Sequence, residues 1–295
     1  MRTWLRRVLW GVGIVALLIG AAIGWGLWQY QQRTHRLVPV PARSFADSAD
    51  LARGRYLFDS RGCAECHGAN GSGRVFADEP GLRIKGPNLT TGPGGVVQGY
   101  TNTDWERAIR HGVHRTGRPL LVMPSEDYAR FTDADLAAIV AYIRSMPPMD
   151  GTGADVQLPL VARVLYGYGL VPDAASRIDH AAAPATPVLE GLTVEHGRYV
   201  AQMCFGCHND KLSGGPIPGA PPDWPVTANL TPAAKVMDRY PDDASFFAFM
   251  RSGKRPDGTA VRIMPFDSFR KMSDVDLGAL RLYLKTLPPT PTGQR

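Results

Sequence analysis

The sequence at residues 63–67 reads Cys-Ala-Glu-Cys-His, and the sequence at residues 204–208 reads Cys-Phe-Gly-Cys-His. In a helical turn, side chains three and four residues apart lie on the same side of the helix. The two thiols of each stretch can therefore reach the two vinyl groups along one edge of a haem, while the histidine meets the iron. Cys-x-x-Cys-His is the attachment sequence of c-type haem, so the chain is predicted to bind two haem c groups.

These two stretches contain all four cysteines of the chain. We expect four thioether bonds, two to each haem, at Cys63, Cys66, Cys204 and Cys207. We expect His67 to bind the iron of the first haem and His208 the iron of the second.

Three other chemistries use cysteine pairs of this kind. Structural disulfides suit an exported chain, but three-residue loops between cysteines are tight, and no further cysteine is left for longer bridges. A zinc site would need its second cysteine pair much closer in sequence. A thioredoxin-like redox pair needs a βαβ setting that the pattern lacks. The histidine directly after both pairs favours haem.

The two motifs are part of an internal repeat. A shift of 141 residues superimposes them and several other short motifs without a gap. These motifs are Asn88-Leu89-Thr90 on Asn229-Leu230-Thr231, Met123-Pro124 on Met264-Pro265, Asp135-Leu136 on Asp276-Leu277, Tyr142 on Tyr283, and Pro147-Pro148 on Pro288-Pro289. One register held over residues 63–148 and 204–289 predicts two copies of one domain.

A methionine lies 56 residues after each haem histidine, Met123 in the first copy and Met264 in the second. A lone methionine in a loop usually fills a gap in the core, but equal offsets in two copies favour axial ligands to iron. A thioether is soft and neutral, so it raises the reduction potential relative to a second histidine. It also occupies the position where a substrate would bind, which points to electron transfer, and no catalytic residue is predicted.

Each copy is predicted to be helical. Thr132 and Ser273 can each cap a helix, and the first of these helices has an apolar stripe. The stripe consists of Leu136, Ile139, Val140 and Ile143. A shorter helix is expected to begin at Thr103 with Glu106 closing a capping box. The Gly- and Pro-rich stretches 68–100 and 209–232 are expected to be ordered loops, and no alternation of strands and helices suggests a parallel sheet.

The N-terminal region contains a candidate membrane span. Arg2, Arg6 and Arg7 precede 21 residues without a charge, Val8 to Trp28. A helix of that length covers roughly 30 Å, enough to cross a bilayer. A cleaved signal peptide is the competing interpretation, but the run exceeds the usual apolar core of such peptides. The arginines before the span predict a cytoplasmic N-terminus and export of the rest.

The net charge of +6 lies mostly in the N-terminal flank, where residues 1–50 hold six arginines and two aspartates. A nucleic-acid interface would need basic residues clustered in a folded domain. Neither copy of the repeat has such an excess, so no nucleic-acid partner is expected. Of the other histidines, His35, His180 and His196 are expected to be solvated, and His111 and His114 have no counterparts in the second copy.

The order of Cys-x-x-Cys-His, Asn-Leu-Thr, Met-Pro and a helix ending in Pro-Pro resembles class I cytochrome c. The tandem arrangement is similar to the membrane-bound cytochrome c subunits of bacterial periplasmic dehydrogenases for alcohols, aldehydes or sugar acids, although many of those have three haem motifs. The resemblance implies that terminal helices cross at a small residue and aromatics, here Gly54, Tyr56 and Tyr142 in copy one and Gly197, Tyr199 and Tyr283 in copy two. It also implies that the carbonyl of Pro87 holds His67, with Ala228 in the same place in the second copy.

The predicted fold is all-α, a transmembrane helix followed by two tandem class I cytochrome c domains. The expected segments are a flank and anchor at 1–33, a juxtamembrane linker at 34–50, a first domain at 51–150, an interdomain linker at 151–190 and a second domain at 191–295.

The resemblance implies a single-pass protein of the bacterial inner membrane, with its haem domains in the periplasm and in contact with membrane lipid. It further implies an electron carrier rather than an enzyme. The expected donor is a periplasmic dehydrogenase, and the expected acceptor is quinone, another cytochrome or a terminal oxidase. A di-haem cytochrome c peroxidase is the alternative, since those enzymes also carry two such motifs.

Overall fold

The structure is a computed structural model that describes residues 2–217, 220 and 224–294. The chain starts with one long helix, α1 (Arg2–His35), followed by an extended segment. The predicted loop at 209–232 therefore lies partly outside the described residues, as do the first and last positions of the predicted terminal segments.

Within the residues that the structure describes, the first half of the folded region contains four helices and the second half contains five. The first-half helices are α2 (Leu51–Ser60), α3 (Cys63–His67), α4 (Asn102–His111) and α5 (Asp133–Ser145). Between the halves lies α6 (Leu160–Gly167). The second-half helices within the described residues are α7 (Val194–Val200), α8 (Phe205–His208), α9 (Asp243–Ser252), α10 (Phe266–Phe269) and α11 (Asp274–Thr286).

The expectation of an all-α fold is wrong in one respect, because the first half carries a small antiparallel sheet. Its strands are β1 (Val75–Glu79), β2 (Leu82–Lys85) and β3 (Asp155–Gln157), in the order β1-β2-β3. The turn between the first two strands contains Gly81 at φ +79°, a backbone conformation that glycine adopts without steric cost. Apolar side chains on short strands and a Pro-Gly turn are the signal that the expectation of a loop at 68–100 overlooked.

Two of the predicted helix starts are confirmed and one is displaced. Thr132 and Ser273 accept hydrogen bonds from the backbone N–H groups of Asp135 and Asp276, which caps α5 and α11. The shorter helix, α4, instead begins after Thr101, which forms its capping box with Asp104. The expected cap residues Thr103 and Glu106 lie inside that helix.

The two halves have separate hydrophobic cores. In the first core, the predicted apolar stripe of α5 is buried together with residues of α2, notably Leu57 and Phe58. In the second core, Leu277 and Leu280 of α11 pack with Leu212 and Met272. Each core also includes partly buried contacts from one cysteine and one methionine of the predicted sites, Cys63 and Met123 in the first and Cys204 and Met264 in the second.

A glycine sits at the main helix crossing of each half. A Cβ atom on Gly54 would lie 2.0 Å from the carbonyl oxygen of Ala138, and one on Gly197 would lie 1.9 Å from that of Ala279. The backbones of α2 and α5, and of α7 and α11, therefore approach closely enough to exclude any larger residue. This matches the small-residue crossing that the resemblance implied.

We expect Gly197→Ala to lower the free energy of unfolding by about 1–3 kcal/mol, because overpacking a tight contact costs that much. The chemical-denaturation midpoint of the purified protein measures the effect. Gly153→Ala is the matched control, since a Cβ there would meet only Val96 at 3.8 Å, an ordinary contact. An equal effect of both substitutions would contradict the close approach of α7 and α11.

Candidate functional site

Both Cys-x-x-Cys-His sequences adopt helical turns. The first forms α3, which begins after Gly62 at φ +90°. In the second, a 3-10 turn at Ala201–Cys204 leads directly into α8. All four cysteines are unpaired, which argues against structural disulfides, and the described residues contain no group of three or more His, Cys, Asp or Glu side chains arranged to hold a metal ion.

Each motif histidine is oriented by a backbone carbonyl. The Nδ1 atom of His67 lies 3.1 Å from the carbonyl oxygen of Pro87, and that of His208 lies 2.8 Å from the carbonyl oxygen of Ala228. Because a carbonyl can only accept, Nδ1 carries the proton in both rings and Nε2 keeps a lone pair. These two contacts are the ones that the resemblance implied.

The electrostatics of the histidines suit a metal ligand. Burial lowers the pKa of His67 and of His208 by more than the carbonyl contacts raise it. A neutral imidazole with a free Nε2 and a hydrogen bond at Nδ1 is the form in which histidine binds iron. The chain therefore fits a haem on this criterion in both halves.

Burial also suppresses ionisation of the four thiols. It raises the pKa of Cys63 and Cys204 to about 12 and that of Cys66 and Cys207 to about 11. Cys63 and Cys204 also pack against the two hydrophobic cores, a position that suits covalent attachment to an apolar macrocycle.

Met123 and Met264 occupy equivalent places. Each packs against the core of the half that contains its histidine, and each is followed by proline and a short helical turn. Those turns are the 3-10 turn Ser125–Asp127 and α10. Their placement is compatible with iron ligation, which stays a prediction.

The Asn-Leu-Thr loops are pinned to the chain segments that follow the last helix of each half. The side-chain amide of Asn88 donates to the carbonyl of Met149 at 2.8 Å, and that of Asn229 donates to the carbonyl of Thr290, also at 2.8 Å. The shift of 141 residues relates these two bonds. Because Asn88 and Asn229 directly follow Pro87 and Ala228, these bonds help to fix the carbonyls that contact the motif histidines.

The two halves contact each other through reciprocal hydrogen bonds. The hydroxyl of Tyr56 donates to Asp276 and accepts from the backbone N–H of Ser273, which caps α11. The hydroxyl of Tyr199 donates to Asp135 at 2.7 Å and accepts from the N–H of Thr132, which caps α5. Each tyrosine therefore docks onto the start of the last helix of the other half.

A second reciprocal pair joins the haem motifs to the opposite halves. Glu65, between the cysteines of the first motif, accepts from the Ser268 hydroxyl of α10 at 3.0 Å. Gly206, at the equivalent place in the second motif, donates its N–H to Asp127 at 2.8 Å. Burial raises the pKa of Asp127 well above its usual range. Each attachment segment thus faces the turn that follows the methionine of the other half.

The interface contains a buried charged group that sequence analysis missed. Asp276 is fully buried and is contacted by the guanidinium of Arg61 and by His196, whose Nε2 donates at 2.7 Å. The expectation that His196 is solvated is therefore wrong, because its side chain is 1% exposed. The repeat places Asp135 and Asp276 in register, but nothing in it indicates that they face the other half.

His180 also differs from the expectation, since its Nδ1 lies 2.9 Å from that of His111 and its Nε2 lies 2.9 Å from the carbonyl of Ala175. His111 lies beside the buried Glu106 of α4. These contacts hold the segment after α6 against the first half and involve none of the predicted haem ligands.

Comparisons with known proteins agree with the arrangement of the two Cys-x-x-Cys-His turns. The profile of the family described as cytochrome c matches residues 51–147. The cytochrome c subunit of alcohol dehydrogenase (quinone) from Gluconacetobacter polyoxogenes is 30% identical over 84% of this chain, and the match covers 58% of that protein. The fructose dehydrogenase cytochrome subunit of Gluconobacter japonicus is 27% identical over 85% of this chain and 54% of its own length.

A relative of similar length also matches. A diheme cytochrome c-type protein of Cereibacter sphaeroides is 27% identical over 96% of this chain and 99% of its own length. The chain thus spans only a little over half of the two dehydrogenase subunits, but nearly the whole of the diheme protein.

We expect Asp276→Asn to lower the free energy of unfolding by about 3–5 kcal/mol, because it leaves the buried guanidinium of Arg61 without its counter-charge. Asp274→Asn is the matched control on the first turn of the same helix. Its carboxylate is exposed and pairs only with Arg251, so the loss should stay below about 1 kcal/mol. Chemical denaturation measures both, and equal losses would contradict the buried network.

The same network determines how stability responds to acid. Although burial alone raises it, Arg61, His196 and Tyr56 together hold the pKa of Asp276 well below its usual range. The carboxylate therefore contributes stability at any pH above the unfolded value of about 3.9, and the contribution is lost only as pH falls through the lower folded value.

Proposed function

We propose that the chain carries electrons from a dehydrogenase to the respiratory chain through two covalently attached haems. The match to the cytochrome c family at residues 51–147, and the similarity along most of the chain to cytochrome c subunits of dehydrogenases, support this proposal. The observation that carries this proposal is the pair of Cys-x-x-Cys-His turns whose histidines are each held at Nδ1 by a carbonyl. Haem iron supplies the one-electron couple when it is bound.

The chain's own residues bind, orient and shield the cofactor. Cys63 and Cys66 in the first half, and Cys204 and Cys207 in the second, would form the thioether bonds. The carbonyls of Pro87 and Ala228 fix the imidazole planes of the two histidines and raise their basicity. The hydrophobic cores beside them exclude water, which lowers the reorganisation that accompanies each electron transfer.

We assign Met123 and Met264 as the residues that would supply the second protein ligand of each iron, in addition to His67 and His208. Equal offsets from the two histidines and equal packing against the two cores support this assignment. A thioether on each iron closes both sites to substrates and favours the reduced state. Closed, high-potential sites suit a carrier that receives electrons from an organic oxidation.

The internal interface supports a function as a two-site relay. The reciprocal tyrosine and motif contacts join each attachment segment and each tyrosine to the opposite half. An electron that enters either half can therefore reach the other without a diffusing partner. The diheme relative matches the chain from end to end, which supports two haems per chain.

The membrane anchor is part of the proposal. Within the described residues, one helix is long and apolar enough to cross a membrane, and its most apolar stretch is not covered by the rest of the protein. This exposure disfavours the interpretation of α1 as a core helix of a soluble protein. The apolar run is also longer than the apolar core of a cleaved signal peptide, which disfavours that interpretation too. We infer a single-pass anchor with a cytoplasmic N-terminus and with both haem-binding halves on the periplasmic side of a bacterial inner membrane.

The proposed donor is a dehydrogenase that oxidises an alcohol, a sugar or a sugar acid. The relatives named as subunits of alcohol, fructose and gluconate dehydrogenases support this class. The proposed acceptor is quinone, another cytochrome or a terminal oxidase, and quinones and terminal oxidases operate at the membrane. The peroxidase alternative has no support among these relatives and needs one iron that opens to peroxide.

We expect Met123→Ala and Met264→Ala each to remove about half of the ferric sulfur–iron charge-transfer absorbance, because each removes one of two sulfur ligands. Haem content should stay at two per chain in both variants. Met272→Leu, which replaces a buried core methionine that is not a proposed ligand, is the control. An unchanged absorbance in either alanine variant would refute that ligand.

We expect deletion of the chain to abolish substrate-dependent oxygen consumption by membranes while sparing dehydrogenase activity with an artificial acceptor, because only the relay is lost. Re-expression of the full chain should restore respiration. Consumption of peroxide by the purified protein at enzymatic rates would replace the relay by the peroxidase alternative.

A further inference from the structure

The helix between the two halves packs directly on the anchor. A Cβ atom on Gly167 of α6 would lie 1.9 Å from the carbonyl oxygen of Gly26, so the two backbones touch at these glycines. The hydroxyl of Tyr168 donates to the carbonyl of Ala22 at 2.8 Å. Both contacts on α1 lie inside the uncharged run that ends at Trp28.

The depth of this contact follows from helix geometry. Ala22 precedes Trp28 by six residues, which is roughly 9 Å along a helix. Half of the hydrocarbon core of a bilayer measures about 15 Å. If Trp28 marks the interface, the hydroxyl of Tyr168 reaches well into one leaflet.

One face of α6 is apolar and open. Val161, Val164, Leu165 and Tyr168 follow one another at the spacing of a single helix face. Val164 contacts the anchor at Gly26, while the side chain of Val161 is 67% exposed. Leu170, just after the helix, is also 67% exposed.

The other face of α6 is polar and fixed to the charged end of the anchor. Tyr166 accepts a hydrogen bond from Arg36 at 3.1 Å and donates to the buried carboxylate of Asp173. The guanidinium of Arg33 lies over the Tyr166 ring at 5.5 Å, and Arg36 pairs with Asp173 at 2.7 Å. Charged groups thus lie on one face of α6 and apolar side chains on the opposite face, as in helices that lie at a membrane surface.

We propose that the short helix α6 is a second membrane contact. Its face that carries Val161 and Tyr168, together with Leu170, is embedded among the acyl chains of the leaflet on the side of the haem-binding halves. The occupant of this face is phospholipid, because the apolar face is continuous with the lipid-exposed surface of α1. The proposal rests on the proposed anchor. It implies that the haem-binding halves are held at a defined height and orientation above the bilayer instead of swinging on the linker at 34–50.

Cysteine alkylation of the full chain in phospholipid nanodiscs tests the proposal. Single variants Val161→Cys and Leu170→Cys are treated with a charged maleimide. We expect both to react at least about tenfold slower than Leu189→Cys, because alkylation needs a thiolate and acyl chains disfavour that charge. Leu189 is 90% exposed in the segment before the second half. The native cysteines are blocked by thioether bonds, so the unaltered chain is the blank.

Val12→Cys, within the N-terminal part of the uncharged run of the anchor, separates failure of this proposal from failure of the anchor. If Val12→Cys is protected while both test positions react at the rate of Leu189→Cys, α6 lies in water and the proposal is overturned. If Val12→Cys also reacts rapidly, the anchor and the proposal fail together. Discs that hold one chain each ensure that protection comes from lipid, since a second copy would otherwise cover the same face.

Discussion

The reciprocal contact between each half's tyrosine and the other half's last helix is the interaction on which the arrangement of the two sites depends. Tyr56 and Tyr199 each satisfy an orphan N–H at a helix start and an adjacent carboxylate. Both carboxylates are buried, so separation of the halves would leave Arg61 and two tyrosine hydroxyls without their partners. Because such groups are costly to bury unpaired, the interface has one well-defined geometry.

The sequence and the resemblance together predicted the backbone surroundings of the two motif histidines. The helical motif turns follow from short-range spacing, whereas the carbonyl partners of His67 and His208 and the two glycine crossings were implied by the resemblance to class I cytochrome c. These features involve residues that contact each other and that both belong to a recognisable sequence motif. The displaced start of α4 is a two-residue error of the kind that competing cap residues produce, since Thr101 and Thr103 both precede an acidic residue at the right distance.

Long-range contacts could not be predicted in the same way. The strand β3 pairs with β2 across some seventy residues. The buried His196 pairs with Asp276, which lies eighty residues later in the chain. Neither periodicity nor composition distinguishes a buried histidine from a solvated one. The contact of α6 with α1 could not be predicted either. The apolar residues of α6 predict that it packs on something, but α1 lies more than a hundred residues earlier in the chain.

The reciprocity of the interface also affects how the molecule responds to dilution. Two surfaces that complement each other by an approximate two-fold relation would equally join separate copies of one domain, as in a symmetric dimer. Such a pair would dissociate at low protein concentration. Here the segment at 151–190 joins the halves covalently, so their encounter is unimolecular and their effective concentration is independent of the amount of protein. The paired arrangement therefore persists at any expression level.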